Sequence, residues 1–219
     1  MRRTIATLAL LAGCELKGDG VPQETVRTVP PFWQIEVFDD FEVTVTVRPE
    51  LDPEADVTLR VTGDANALSR LFTEVHGDGL LSIAANPNLL QELKVIPTVT
   101  LEVPALSGVF ATDRAVVRVH GASEALAIEA ELTSVVEASE LTQVVANVVA
   151  RDASNVMLAG TGPELAVAAA DMAYVEASRL TAERVIVTID EGAPSVTVCT
   201  SGAPPEIVGE AERVTVACE

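Results

Sequence analysis

The chain has 219 residues, 14 Lys and Arg against 33 Asp and Glu, a formal charge of −19, 48% hydrophobic residues and only 3% aromatic ones. That is one domain of ordinary size, too apolar for an acidic disordered chain, with a core of Val, Ala and Leu rather than aromatics. No basic face offsets phosphate charge, so nucleic acid is excluded as a partner, and the charge gives an anionic bilayer no general attraction.

Met1-Arg2-Arg3 is a basic start, residues 4–11 (TIATLALL) are a short apolar run, and Leu11-Ala12-Gly13 leads into Cys14. A charged start, an apolar stretch and small residues before a cut form a secretory signal. The apolar run is far below the roughly 18–20 residues that cross a bilayer. A cysteine directly after Leu-Ala-Gly resembles a bacterial lipobox, which implies a signal peptide over 1–13 and a diacylated Cys14 as the mature N-terminus. Glu15 is not the aspartate of inner-membrane retention, so the expected address is the outer membrane, on its surface or its periplasmic face. An ordinary signal peptide with an unlipidated cysteine is the alternative. Loss of Arg2 and Arg3 takes the formal charge from −19 to −21.

Residues 15–28 are polar, with Gly18, Gly20 and Pro22, and Pro30-Pro31 follows. Residues 14–30 are therefore expected to be a lipid-anchored flexible tether, and 31–219 a single domain. From Trp33 the texture is that of strands. Residues 42–47 (EVTVTV), 57–61 (VTLRV), 81–84 and 99–103 (VTLEV) alternate with period two, as half-buried strands do. His76-Gly77-Asp78-Gly79 fits a hairpin turn. Residues 64–72 (DANALSRLF) predict one short helix, capped by Asp64 or Asn66, with Leu68, Leu71 and Phe72 as its apolar stripe. Trp33, Phe38 and Phe41 are assigned to the core of the first coils; an exposed Trp33 would instead be the leading ligand contact.

From residue 105 the chain beats. Short apolar triplets such as Val117-Arg118-Val119, Leu126-Ala127-Ile128, Val156-Met157-Leu158 and Val185-Ile186-Val187 recur about every 10 residues, and small or acidic residues fill the gaps. Two beats make a unit of about 20 residues, the mark of a solenoid. The fold class is therefore all-β: a parallel β-helix with two short strands per coil, residues 31–104 forming an N-terminal β-rich cap and first coils, and 105–219 the repeat coils. A globular β-sandwich is the alternative.

The order of segments resembles the bacterial putative auto-transporter adhesin family with the head GIN domain. Gly18-Asp19-Gly20 is followed by PFWQIEVFDDFEVTVTV (31–47), VTGDANALSRLFTEVHGDGLLSI (61–83), VTLEVPALSGV (99–109) and tandem coils. The resemblance implies a right-handed β-helix shaped like pectate lyases without their catalytic residues, and an envelope protein with a role in adhesion. The corners depart from the family's Gly-Ser-Gly pattern; here they read Gly-Ala-Ser, Glu-Ala-Ser and Gly-Thr-Gly-Pro.

Motifs for catalysis are missing from the sequence. His76 and His120 are expected in turns, no nucleophile elbow, HExxH or P-loop occurs, and the expectation is a non-enzymatic protein. A degenerate β-helix lyase or hydrolase would need a basic residue on a sheet face, and Arg114 with Arg118 is the best-placed pair. No cofactor is expected. Calcium is the one ion to consider, at Asp39-Asp40 or at Asp52-Pro53-Glu54-Ala55-Asp56, although solvated loops explain both clusters. With lipid on Cys14, Cys199 and Cys218 can pair in one way only. They lie 19 residues apart, about one coil, and such a bond would be worth about 3 kcal/mol. Aligning Val196-Thr197-Val198 with Val214-Thr215-Val216 gives an offset of 18, so the disulfide requires a bulge; two free buried cysteines are the alternative. Expected partners are the membrane through Cys14, a protein or glycan ligand, and a second copy capping an open solenoid end. The function expected is an envelope-anchored binding or adhesion lipoprotein; a periplasm-facing structural or assembly role is the alternative.

Overall fold

A computed structural model describes residues 16–85 and 90–218; Cys14 and the signal segment lie outside the described residues. The N-terminal half contains β1 (Leu16–Lys17), β2 (Pro22–Val29), β3 (Gln34–Val37), β4 (Glu42–Val47), β5 (Val57–Asp64), a single 3-10 turn (Leu68–Arg70), β6 (Leu71–Val75), β7 (Leu80–Ala85), β8 (Leu90–Glu92) and β9 (Thr98–Val103). The repeats follow as β10 (Gly108–Ala111), β11 (Val116–His120), β12 (Ala125–Ala130), β13 (Val135–Leu141), β14 (Val145–Ala150), β15 (Asn155–Asp171), β16 (Tyr174–Gly192), β17 (Ser195–Thr200), β18 (Glu206–Val208) and β19 (Val214–Val216). Alternation sets each strand's dry side. In β4, Val43 and Val45 are fully buried while Glu42, Thr44 and Thr46 face outward.

The strands stack into two parallel faces joined by tight corners. Face A runs β7, β3, β10, β12, β14, the second halves of β15 and β16, then β18. Face B runs β9, β4, β11, β13, the first halves of β15 and β16, then β17 and β19. Val109, Ile128, Val148, Val167 and Val187 form one inward ladder, and Val117, Val136, Val156, Val175 and Val196 form the facing one. This is the expected β-solenoid, with one departure: the coils do not stack in chain order. β3 lies between β7 and β10, and β4 between β9 and β11. Residues 80–103 thus form the outermost coil, and the repeats grow from the opposite side of the 34–47 coil.

The corner from face A to face B repeats one device. Asp39, Asp113, Leu132, Asp152 and Asp171 all adopt left-handed backbone, with φ between 56° and 61°. Aspartate tolerates this region better than most residues. The next residue's amide then donates to the carbonyl of the same position one coil earlier, as in Thr133 to Asp113 (2.9 Å), Ala153 to Leu132 (2.8 Å) and Met172 to Asp152 (2.7 Å). At the other corner, consecutive buried residues Val198 and Cys199 mark a bend, and the register with β16 shifts there. The bend supplies the bulge that the 18-residue offset demands. Val198 pairs with Val216, while Cys199 turns inward and is joined to Cys218 in a disulfide.

The N-terminal end is closed by antiparallel strands. β2 pairs with β5 and β5 with β9, while β6 pairs with β7. Arg27 shares the inward side of β2 with Thr25 and Val29. Its guanidinium crosses to β6, donating to the carbonyls of Leu68 (2.6 Å) and Leu71 (2.7 Å) and to the Thr73 hydroxyl (3.1 Å). Burial lowers its pKa from the ordinary value. An inward charge also blunts an edge strand that would otherwise recruit another chain.

Three expectations are corrected here. The proposed tether is folded from Leu16 onward: β1 pairs with β8, and all of β2 with β5. The cause is Asp64, expected as a helix cap but fully buried. Its carboxylate accepts the amides of Gly20 (2.6 Å), Lys94 (2.9 Å) and Val95 (3.1 Å). A Cβ on Gly18 would overlap that carboxylate, so glycine there serves close approach rather than flexibility. The helix expected over 64–72 shrinks to the 3-10 turn, because Leu71 and Phe72 are drawn into β6 to pair with β7. Of the three aromatics assigned to the core, Phe41 is fully buried as expected, whereas Trp33 is 49% exposed and Phe38 only half-buried; Phe32 fills the core beside Phe41.

Arg27→Met is expected to lower unfolding free energy by about 2 kcal/mol, since it orphans two carbonyls, and denaturant titration measures it; an unchanged midpoint would show that the bridge closes nothing. For Asp64, burial by itself raises the pKa, but the amides of Val95, Gly20 and Lys94, and the Lys94 charge, hold it below the ordinary carboxylate value. The ionised form is therefore favoured by folding. Its stabilisation is present above the unfolded carboxylate pKa of about 4 and is lost as pH falls. Asp64→Asn should flatten the acid limb of a stability–pH curve relative to the parent chain.

Candidate binding faces

The two faces differ in exterior chemistry. Face B is polar. Arg118 on β11 lies between Glu42 of the preceding coil and Glu137 of the next, 3.2 Å from each. His120 and Ser139 pair at 2.9 Å on neighbouring coils. Glu176 accepts from the Tyr174 hydroxyl (2.8 Å) and the Ser178 amide (3.0 Å). Burial pushes the Glu176 carboxyl up, and these donors, the Ser178 and Thr197 hydroxyls among them, hold it below its ordinary value. At the first corner Arg114 chelates Asp40 through two nitrogens, and this hydrogen-bonded pairing keeps the Asp40 carboxyl below its ordinary value. Arg114 and Arg118, the pair a lyase would need, are thus both ion-paired with carboxylates.

The exterior of face A is different. One row reads Ala127, Asn147, Ala166 and Ile186, and the next Glu129, Val149, Ala168 and Thr188. These two rows hold one charge, Glu129; Glu36 on β3 and Glu206 on β18 extend them, and a further outward row carries Glu164 and Arg184, paired at 2.9 Å. Ala127, Asn147, Ala166 and Ile186 are the middle residues of apolar beats, a pattern that marks a strand and not a site. The signal of the first row is the recurrence of uncharged residues about every twentieth position.

Trp33 sits at the edge of face A. Its amide donates to the Gly79 carbonyl (3.0 Å), and its carbonyl accepts from Ser107 (2.8 Å). The indole lies over Gly79, which has φ +77° and where a Cβ would overlap the ring. The turn from His76 to Gly79 is as expected, and His76 meets Ser82, which donates to Glu36. Trp33 is therefore a half-exposed but fixed aromatic plate.

The two acidic clusters border surface clefts. One of about 510 Å³ has Asp39, Asp40 and Arg114 on its rim with Leu93 and Ile96; another of about 470 Å³ has Asp52 and Asp56 beside Thr46, Thr58 and Thr100. Asp39 accepts the Ala85 amide (3.1 Å) and Asp52 the Glu54 amide (3.0 Å). Among the described residues, no group of three or more His, Cys, Asp or Glu side chains is placed to hold a metal ion.

A stack of parallel two-stranded coils, closed at its N-terminal end by antiparallel strands, belongs to the class of β-solenoid proteins. Residues 31–203 match the family described as "Putative auto-transporter adhesin, head GIN domain", and the chain belongs to that family. Its fold is that of a putative adhesin from Bacteroides fragilis NCTC 9343, at 16% identity and TM-score 0.68, covering 92% of this chain and 97% of that one. A putative adhesin from Parabacteroides distasonis ATCC 8503 gives 17% identity and TM-score 0.63 over 93% and 99%. A protein described as a putative lipid binding protein from the same strain gives 17% and 0.57 over 93% and 97%. No curated protein matches the sequence.

Because the chain has one tryptophan, the Trp33 plate can be tested optically. Gly79→Ala should displace the indole and shift its emission to longer wavelength. An unchanged spectrum would mean that the ring does not rest on Gly79.

Proposed function

We propose that this protein is a lipid-anchored, non-enzymatic binding or adhesion protein of the bacterial cell envelope. The observation that carries the reading is face A: a continuous sheet exterior spanning several coils, whose central positions Ala127, Asn147, Ala166, Ile186, Val149, Ala168 and Thr188 are uncharged. Extended surfaces of this kind suit contact with a large partner, protein or glycan, rather than turnover of a small substrate. Trp33 at its edge adds a fixed aromatic for stacking on a sugar or an apolar side chain. The anchor is Cys14, on the strength of Leu11-Ala12-Gly13-Cys14.

A second reading, a periplasm-facing structural or assembly protein, is favoured by the short lead. The first described strand, β1, starts at Leu16, two residues after Cys14. A solenoid so closely attached works near its membrane and does not reach far from it.

Cys14→Ala should move the protein from the membrane to the soluble fraction of fractionated cells. Continued membrane association would remove the anchor from the proposal. Protease applied to intact and to outer-membrane-permeabilised cells separates the two readings. Digestion in intact cells supports outward display, and protection until permeabilisation supports the periplasmic role.

A further inference from the structure

Lysine is rare in this chain: the sequence has two, Lys17 and Lys94. The fold brings them together. Gly18 donates its amide to the Glu92 carbonyl (2.8 Å), and Asp64 gathers the amides of Gly20 and Lys94. The aliphatic stem of Lys94 runs beside Gly20, and Lys17 is exposed on β1 next to β8. Two large apolar side chains stand out from the same knot, Val21 and Ile96, each 56% exposed. The nearby acids are Glu92, paired with Lys17 at 3.2 Å, Asp19, whose carboxylate accepts the Val21 amide (3.0 Å), the buried Asp64, and, in the cleft that Ile96 lines, Asp39, Glu42 and the Arg114-paired Asp40. Both lysines of a chain with charge −19 stand at this one corner.

We infer that this corner is the surface on which the solenoid seats against the bilayer, with Lys17 and Lys94 reaching lipid phosphates and Val21 and Ile96 entering the headgroup boundary. The inference rests on the Cys14 anchor proposed above. The occupant follows from position. Cys14 lies two residues before Leu16, so an acylated Cys14 is held within roughly 7 Å of β1. Whatever surrounds β1 then meets the membrane. Position selects the face, and on it the ammonium groups on flexible stems and the exposed aliphatic side chains are the groups that favour an anionic bilayer. The disulfide and the acidic last coils are carried on the far end, away from the lipid.

The seating is tested with the mature chain from Cys14 onward, coupled through that thiol to a maleimide phospholipid in phosphatidylethanolamine–phosphatidylglycerol vesicles, Cys199 and Cys218 being occupied by each other. Trp33→Phe removes the native signal, and Ile96→Trp, Val21→Trp or Met172→Trp is added singly. With brominated lipid in the vesicles, the Ile96→Trp and Val21→Trp proteins should lose fluorescence and the Met172→Trp protein should keep it. Lys17→Glu with Lys94→Glu should abolish the loss, and Lys17→Arg with Lys94→Arg should retain it. Equal quenching at all three positions, or none at 96 and 21, overturns the seating while leaving the anchor intact. Mass spectrometry of the native protein judges the anchor separately: a Cys14 without diacylglycerol overturns that reading, and the seating with it.

Discussion

The structure depends on register between coils. Each inward Val, Ile, Leu or Ala is buried only because the same position one coil away is also apolar, and a one-residue slip would turn a whole strand's dry side outward. Parallel pairing locks that register through the backbone, and the left-handed corners at Asp39, Asp113, Leu132, Asp152 and Asp171 repeat it from coil to coil. This is why a chain with 3% aromatic residues can be well buried: thin aliphatic layers fill a narrow interior that bulky rings would split.

The repeat does not end itself. Each end of a solenoid offers unpaired strands and a cut through the core. Here the ends are treated differently. At the N-terminal end, antiparallel β2, β5 and β6 cover the outermost coil, and Arg27 spans the remaining gap with hydrogen bonds to backbone carbonyls. At the other, the last coil is held by two three-residue strands and the Cys199–Cys218 bond. The first closure uses a half-buried cation as a strut, and the second uses a covalent staple.

Local pattern carried the repeats. The 117–119, 126–128 and 156–158 beats are strands where the alternation put them, and the near-20-residue unit is the coil. The coil order of the N-terminal half was illegible, since nothing local tells β3 that β7 and β10 will be its neighbours. The lead was misjudged because Gly18, Gly20 and Pro22 look like a linker until Asp64, more than 40 residues away in sequence, is seen to hold their backbone. The helix over 64–72 had a sound stripe, but pairing with β7 outweighed it. Trp33 was misplaced because a tryptophan in an apolar context reads as core, and only the glycine at 79 shows that the ring lies on a turn. For the candidate faces, the charged pairs were visible as single residues but not as pairs. Face A escaped notice because its character lies in side chains that are individually unremarkable.

The interleaved coil has a consequence for how the chain assembles. A solenoid whose coils stack in chain order can lengthen one coil at a time as polypeptide emerges from a ribosome or a secretion channel. This one cannot begin so. β2 waits for β5, β5 for β9, and the 34–47 coil for residues on both of its sides, the last of them at about position 120. More than half of the polypeptide must therefore be available before its first coil is covered, after which the remaining coils can add in sequence. The slow, long-range step falls early, and the chain is most exposed to unwanted association during that interval.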